Sequence, residues 1–114
     1  MVSPRAEDAN IRIDRSGSQH TVAVTGRVTI DSSPRLRSVL LGLITKRAGV
    51  VVDMSGVTRM DTSGLATLLE ALNTAHEHSV RLRVTGVSGQ PRKLAELVEL
   101  EQIFRASGSE VEFR

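Results

Sequence analysis

Apolar residues near the start of the chain alternate with polar ones at a period of two. The alternating set comprises Ile11, Ile13, Val22, Val24, Val28 and Ile30. This spacing is typical of half-buried strands, and Ser16-Gly17-Ser18 in the middle predicts a turn between them. We therefore predict an antiparallel hairpin at one side of a sheet, with a second strand that extends to Ile30.

The next segment has apolar residues three or four positions apart, which is the spacing of one helical face. These residues are Leu36, Val39, Leu40, Leu43 and Ile44. Ser33 is the predicted N-cap, and Pro34 takes the first helical position, where a missing N–H costs nothing. The segment therefore predicts a first helix that closes at Arg47-Ala48-Gly49.

Val50-Val51-Val52 is an apolar run without alternation, so we predict a central strand covered on both faces. A polar turn is expected from Asp53, and helical spacing begins at Leu65. The apolar face of this second helix comprises Leu65, Leu68, Leu69, Leu72 and Ala75. Its opposite, solvent-facing side is predicted to carry Thr67, Glu70, Asn73, Thr74 and Glu77.

Three polar residues, Asp61, Thr62 and Ser63, stand immediately before this helix and are all candidate N-caps. Gly64 after them permits close approach of backbone or of a partner. On this pattern alone, the polar residues need do no more than satisfy the free N–H groups of the helix.

The last third of the chain predicts three more elements. Val80 to Val84 alternate as a strand, and Pro91 opens a third helix. That helix is predicted to turn Leu94, Leu97 and Val98 inward; a short turn with Leu100, Ile103 and Phe104 follows, and Val111 and Phe113 form a last strand. The order β-β-α-β-α-β-α-β predicts an α/β fold with a mixed, mostly parallel sheet and right-handed crossovers. One domain is expected over residues 10–114, after a flexible N-terminus at 1–9.

The composition argues against several classes of function. The 114 residues carry a net charge of only +2, no cysteine and two aromatic residues, and the arginines are scattered among acids. Nucleic-acid binding is therefore not expected. No apolar run reaches the roughly 18 residues of a membrane helix, and the start has no apolar signal core. We expect a cytoplasmic protein without direct membrane insertion, and a monomer, since the second helix exposes no large apolar patch.

No arrangement of residues indicates an enzyme. His76 and His78 flank Glu77 and cannot share one helical face, which argues against a metal site. Ser63 lacks the flanking glycines of a nucleophile elbow, and there is no phosphate-cradling loop. Neither catalysis nor a cofactor is expected, and Ser63 is more readily a substrate than a catalyst.

The stretch from Val51 to Leu65 resembles the motif of the STAS domain family, which includes the bacterial anti-sigma factor antagonists. In that family, an apolar strand and a small-residue turn precede Asp-[Ser/Thr]-Ser-Gly-Leu at a helix start. Asp61-Thr62-Ser63-Gly64-Leu65 matches this motif, and the order of elements matches over essentially the whole chain. The resemblance implies the STAS fold and places a phosphorylated serine at Ser63.

The resemblance also implies a regulatory cycle. The unphosphorylated protein would bind an anti-sigma factor that is a serine/threonine kinase, phosphorylation of Ser63 would end the complex, and a PP2C-type phosphatase would reset it. The implied partner-binding residues are Asp61, Thr62, Ser63, Gly64, Thr29, Asp31, Thr67 and Glu70. Asp61 would add charge repulsion to a phosphate there, or serve only as a helix cap.

One position departs from the family pattern. The family often carries Gly-x-x-Asp after the second strand, whereas Gly26-Arg27-Val28-Thr29 has a threonine in place of the acid. Whether Asp31 replaces that acid is left open by the sequence, as is the choice between Ser63 and Thr62 as the modified residue.

Two alternatives to the sigma-regulatory interpretation remain. STAS domains also dock on the ATPase of lipid-transport ABC transporters through an Asp-Thr-Gly-Gly-Leu-Ala turn, which Asp61-Thr62 and Gly64-Leu65-Ala66 resemble. Only Ser63 departs from that version. The other alternative is a scaffold that is never phosphorylated.

Overall fold

The computed structural model describes residues 9–114, and its strands lie side by side in the order in which they occur along the chain. The five strands are β1 (Asn10–Ser16), β2 (Gln19–Val28), β3 (Gly49–Met60), β4 (Leu82–Val87) and β5 (Glu110–Phe113). The four helices are α1 (Ser33–Thr45), α2 (Thr62–Glu77), α3 (Gly89–Leu97) and α4 (Leu100–Ala106). The predicted α/β class and element order are confirmed, and the predicted short turn before β5 is the helix α4.

The sheet is mixed in the predicted way. β1 and β2 form an antiparallel hairpin, and a tight turn with Gly17 at φ +61° joins them. The pairs β2–β3, β3–β4 and β4–β5 are all parallel. Most of the predicted flexible N-terminus, residues 1–8, lies outside the described residues. Ala9 is buried, and its carbonyl accepts a hydrogen bond from Arg35.

All four helices cover the same face of the sheet. β2 to β5 are parallel neighbours in chain order, so every crossover moves in one direction across the sheet. Right-handed crossovers that all move in one direction place their helices on one face. A single buried core accordingly joins the inward strand residues with residues of every helix, among them Leu40, Leu68, Ala95 and Phe104.

Both faces of β3 are covered at Val50–Val52, as predicted, but the helices pack on only one of them. Val50 and Val52 belong to the core, whereas Val51 lies outside it on the alternate face. Val51 is nevertheless only 8% exposed, because its register partners Thr21 and Arg83 flank it on the adjacent strands. An apolar residue can thus be buried by its neighbours within the sheet alone.

The second half of β3 was predicted as a polar turn, and that prediction is wrong. The chain stays extended from Asp53 to Met60. Its core residues there, Met54, Val57 and Met60, are three positions apart rather than two. Register shifts against β2 near Thr25 and Arg27 insert extra residues and break the alternation.

Five residues predicted on the inward face lie outside the core; two of them are Ile13 on β1, at 47% exposed, and Ile103 on α4, at 40%. β2 ends at Val28, and Ile30 is 72% exposed in the loop that follows. In α3, Leu97 is 82% exposed, and Val98 at its end is also exposed, because the helix buries its Pro91 and Ala95 face instead. In α4, Leu100 and Phe104 are buried as predicted.

Candidate functional site

Asp61 is the N-cap of α2. Its Oδ1 accepts hydrogen bonds from the backbone N–H groups of Ser63 at 2.9 Å and Gly64 at 3.2 Å. These donors are free at every helix start, and a carboxylate satisfies them well. Asp61 is thus the cap among the three candidates, and Thr62 begins the helix.

The same carboxylate fixes the loop that follows β2. Oδ2 of Asp61 accepts from the backbone N–H of Ile30 at 3.1 Å, and the N–H of Asp61 donates to the carbonyl of Val28 at 3.1 Å. The end of β2 and the start of α2 are therefore held side by side. Together they form the surface on which most of the predicted partner-binding residues lie.

The pKa of Asp61 reflects this arrangement. Partial burial opposes ionisation, but hydrogen bonds from the Ser63 hydroxyl and from the N–H groups of Gly64, Ser63 and Ile30 outweigh it. They hold the pKa of Asp61 below its ordinary value, because each bond stabilises the charged form. The start of α2 therefore carries a fixed negative charge at neutral pH.

The two hydroxyl residues of the turn have different environments. Ser63 is half-buried, and its Oγ donates a short hydrogen bond to Oδ1 of Asp61. Thr62 is exposed, and its side chain makes no hydrogen bond within residues 9–114. The Ser63 hydroxyl is thus part of the cap, whereas Thr62 is exposed and its hydroxyl has no hydrogen-bond partner in the described chain.

Two predicted partner contacts, Gly64 and Thr67, are buried, and for Thr67 this corrects its predicted solvent-facing position. A Cβ at Gly64 would lie 2.7 Å from Cγ of Met60 and 2.9 Å from Cγ1 of Val28. The close approach at this glycine is therefore internal. Thr67 is 6% exposed, and its hydroxyl donates to the Ser63 carbonyl one turn earlier.

The predicted residues after β2 lie in a well-defined loop. Thr29 is half-buried, and Asp31 is exposed. The N–H of Thr29 donates to Oγ of Ser32 at 2.9 Å, and that hydroxyl donates to the Arg27 carbonyl at 3.0 Å. α1 begins at Ser33, so its N-cap residue is Ser32 and not the predicted Ser33, and Pro34 takes the second rather than the first helical position; the Ser32 side chain makes no capping hydrogen bond to the helix.

Glu70 lies on the predicted polar side of α2, half-buried, and it pairs with the neighbouring helix. The guanidinium of Arg37 on α1 donates to both of its carboxylate oxygens at 2.7 Å. These hydrogen bonds lower the pKa of Glu70 and raise that of Arg37. Because both side chains are partly exposed, the pair links α1 to α2 without burying charge.

Two arginines beside this surface were not singled out by the sequence analysis. Arg27 and Arg59 are register partners at the ends of β2 and β3. With Thr29, Asp61 and Thr62 they line an open pocket of about 420 Å³. Nε of Arg27 is enclosed and has no hydrogen-bond partner within the described part of the chain. In the sequence, each arginine is only a single basic residue near a predicted turn, which is too common to indicate a site. The two become neighbours only because β3 extends as far as Arg59.

Gln90 is a further residue that sequence reasoning missed. Its Oε1 accepts from the N–H of Met60 at 2.8 Å, and its Nε2 donates to the carbonyl of Met60 at 2.9 Å. The start of α3 is thereby fixed to the last residue of β3. Gln90 also forms part of the pocket wall.

No helix within residues 9–114 combines the length and apolar character needed to cross a bilayer.

Comparison with known families gives one match that spans most of the chain. The family model described as "Mlab, STAS domain" matches residues 11–105. This range includes the site around Asp61 and four of the five strands. The family predicted from the Asp61–Leu65 motif is thereby confirmed.

Solved structures with the same fold include antagonists of anti-sigma factors. One, from Mycobacterium paratuberculosis, aligns with a TM-score of 0.78 and 17% identity over 88% of this chain and 86% of that one. SpoIIAA in its unphosphorylated form aligns with a TM-score of 0.66 and 16% identity over 87% and 99%. Bacillus SpoIIAA in its phosphorylated form aligns with a TM-score of 0.68 and 13% identity over 90% of each chain. At these identities the likeness establishes the fold.

Proposed function

The chain belongs to the family described as Mlab, STAS domain, and from this premise we propose that it is an anti-sigma factor antagonist. It binds an anti-sigma factor serine/threonine kinase while its α2 turn is unmodified, and phosphorylation of that turn ends the complex. The observation that carries the proposal is the exposed hydroxyl residue Thr62 at the start of a capped helix. This turn lies at the carboxyl end of a parallel strand, where sites in open α/β sheets form.

Of the two hydroxyls in the turn, Thr62 is better placed to accept phosphate than Ser63, the residue that the resemblance suggests. A phosphate on Ser63 would replace the hydroxyl that donates to Asp61 and would set a dianion against that carboxylate. Thr62 is exposed, and its modification leaves the cap bonds intact. The kinase transfers the γ-phosphoryl group of ATP to the Thr62 oxygen, with release of ADP and the hydroxyl proton.

The proposed switch is electrostatic and acts on the partner. Phosphate adds about −1.5 to −2 charges at the start of α2, where the helix dipole accepts them. The domain therefore stays folded. An unpaired charge buried in an interface costs several kcal/mol, against the roughly 5.5 kcal/mol that moves a two-state population from one side to the other. A PP2C-type phosphatase restores the hydroxyl by hydrolysis to inorganic phosphate.

The test is a pull-down from lysate of the source organism with matched baits. Wild type, Thr62→Asp and Ser38→Asp are compared, because Ser38 is exposed on α1 and its variant makes the same charge change away from the turn. We expect a small ATP-binding kinase with wild type and Ser38→Asp, and its loss with Thr62→Asp. An ABC transporter ATPase retained by all three baits would overturn the proposal.

The modified residue is identified in the same material. The retained kinase is incubated with ATP and with wild type, Thr62→Ala or Ser63→Ala, and phosphorylated peptides are mapped by mass spectrometry. We expect phosphate on Thr62 in wild type and in Ser63→Ala. Phosphate on Ser63 alone would return the acceptor to the residue suggested by the motif.

A further inference from the structure

Strand β1 forms one edge of the sheet, and within residues 9–114 it is paired on one side only, by β2. A two-residue turn that starts with Gly17 at φ +61° closes this hairpin, and the last strand pair before such a turn is hydrogen-bonded. Because hydrogen-bonded and non-hydrogen-bonded pairs alternate along an antiparallel ladder, the N–H and C=O groups of Ile11, Ile13 and Arg15 point away from β2.

The side chains of β1 place an apolar residue between a cation and an anion. Ile13 is the register partner of the core residue Val22, so it lies on the helix side of the sheet, yet it is half-exposed at the edge. Arg12 and Asp14 lie on the opposite face, where they contact each other at 3.2 Å and are both largely exposed. A strand added beside β1 would bury Ile13 and meet both charges.

These charges select one register for antiparallel pairing of β1 with a second copy of the chain. With Ile13 on the two-fold axis, Arg12 lies opposite the partner's Asp14, and all seven residues of β1 are paired. These are non-hydrogen-bonded positions, where side chains approach most closely. A shift of two residues is the smallest that keeps the faces matched, and it sets Arg12 opposite Arg12 or Asp14 opposite Asp14, which is destabilising.

The other edge of the sheet, β5, does not have this self-complementarity. Glu110 and Glu112 share one face of β5, and pairing β5 with a second copy about Val111 or Glu112 sets glutamates opposite each other. Both already contact Arg83 of β4 at 2.7 Å. Charges on an edge strand commonly prevent association. Charges of one sign, as on β5, repel a second copy, whereas the alternating signs on β1 attract it in one register.

We propose that β1 is a homodimer interface, in which the β1 strands of two copies pair antiparallel about Ile13 and join two five-stranded sheets into one. The outward backbone groups of Ile11, Ile13 and Arg15 form the new hydrogen bonds, and two Arg12–Asp14 pairs form across the axis. The monomer expected from the sequence was argued from the surface of α2, which this edge does not involve. The α2 turn follows β3, two strands away, so the dimer presents two such turns whichever hydroxyl is phosphorylated.

Analytical ultracentrifugation of the full chain over a range of concentrations tests the proposal. We expect wild type to be in reversible equilibrium between one and two chains. Asp14→Arg should raise the dimer dissociation constant by about tenfold, because both charge pairs become repulsive. Asp31→Arg makes the same charge change at an exposed loop position and should leave the constant unchanged. A wild type that stays monomeric up to millimolar concentration would overturn the proposal.

Charge exchange tests the register. Arg12→Asp alone should weaken the dimer, whereas the double variant Arg12→Asp/Asp14→Arg should restore it, because opposite charges face each other again. The single variants Asp14→Arg and Arg12→Asp should also associate with each other when mixed. Circular dichroism checks that each variant retains its fold. Failure of both the double variant and the mixture to dimerise would overturn pairing about Ile13.

Hydrogen exchange identifies the strand that is in contact. The amides of Ile11, Ile13 and Arg15 should exchange more slowly as the protein concentration rises, while those of Glu110–Phe113 should not change. Protection of both strands, with a mass that keeps growing, would indicate head-to-tail pairing of β1 with β5 and would overturn the two-fold dimer. A dimer whose β1 amides do not respond to concentration would place the interface elsewhere and would also overturn the proposal.

Discussion

At the scale of single residues, Asp61 joins three parts of the chain through one carboxylate. It caps α2 and holds the loop after β2 through Ile30. Asp61→Ala should therefore lower the free energy of unfolding by about 1 to 2 kcal/mol, the upper range for loss of a cap. Urea denaturation measures this, with Asp31→Ala as control, because Asp31 is exposed and its side chain makes no hydrogen bond in the described chain. Equal midpoints for both variants would refute the role of Asp61.

The same residue gives a prediction for pH. The pKa of Asp61 is lower in the folded protein than in the unfolded chain, so the unfolded state binds the proton more readily. Its charge therefore stabilises the fold fully above the unfolded pKa of about 3.9 and loses that contribution as pH falls through the folded pKa. The stability difference between wild type and Asp61→Asn should be constant from neutral pH down to about 5 and shrink below about 4. Urea titrations across this range test it, and a difference that grows in acid would contradict it.

Gly64 illustrates a residue whose role the motif did not reveal. A Cβ there would meet Met60 and Val28 in the core, whereas a Cβ at Gly42 on α1 would meet nothing within 4 Å. Gly64→Ala should therefore destabilise by about 1 to 3 kcal/mol through overpacking. Gly42→Ala should stabilise by about 0.5 to 1 kcal/mol, because alanine favours the helix. Thermal unfolding of the two variants should show shifts of opposite sign, and a stabilised Gly64→Ala would be inconsistent with this packing.

At the scale of elements, the link between α3 and β3 depends on one side chain. Gln90 pairs with both backbone groups of Met60. Gln90→Ala should leave them without these partners and cost about 1 to 3 kcal/mol. Hydrogen exchange at the Met60 amide should accelerate, while Gln102→Ala, at an exposed position of α4, should change neither exchange nor stability. An unchanged Met60 amide would show that water replaces the glutamine at little cost.

The limits of sequence reasoning are clearest in β3. The run Val50–Val52 and the helical spacing from Leu65 were enough to predict the strand, the helix and a site between them. The residues from Asp53 to Met60 were not recognised as a strand, because shifts against β2 change the spacing of Met54, Val57 and Met60. A bulge depends on the partner strand, so it leaves no period in a single segment. This also hid Arg27 and Arg59, which are neighbours only when both strands are extended.

At the scale of the whole molecule, the order of the strands determines where a partner can bind. Because the sheet adds strands in one direction, its helices share one face, and no helix within residues 9–114 covers the opposite face. That face carries paired charges, such as Arg83 with Glu110 and Glu112. The sequence predicted the crossovers but not their common direction, since strand order is a property of the assembled sheet. The turn at Thr62 lies at the carboxyl end of the central strand β3, and the proposed docking uses that end of the sheet.

A switch at this end of the sheet has to change partner binding without changing the fold. Two variants test that requirement. Thr62→Asp places a charge on an exposed side chain at the first position of α2, near Arg27 and Arg59, where the helix dipole contributes about 0.3 to 1 kcal/mol in its favour. Its Tm should equal or slightly exceed that of wild type. Ser63→Asp removes the hydroxyl donor to Asp61 and sets a second carboxylate beside it, so its Tm should fall by a few degrees, about 4 to 8 °C per kcal/mol.

Calorimetry of the two proteins, followed by binding to the retained kinase, separates the contributions. With Thr62→Asp, a normal Tm and lost binding mean that charge at the turn acts on the partner alone. A lowered Tm with lost binding would instead mean that the turn holds the domain together, and any effect of phosphate would then pass through unfolding. The cap geometry favours the first outcome, because the hydrogen bonds that cap α2 join Asp61 to Ser63 and Gly64, and the Thr62 side chain makes none within residues 9–114.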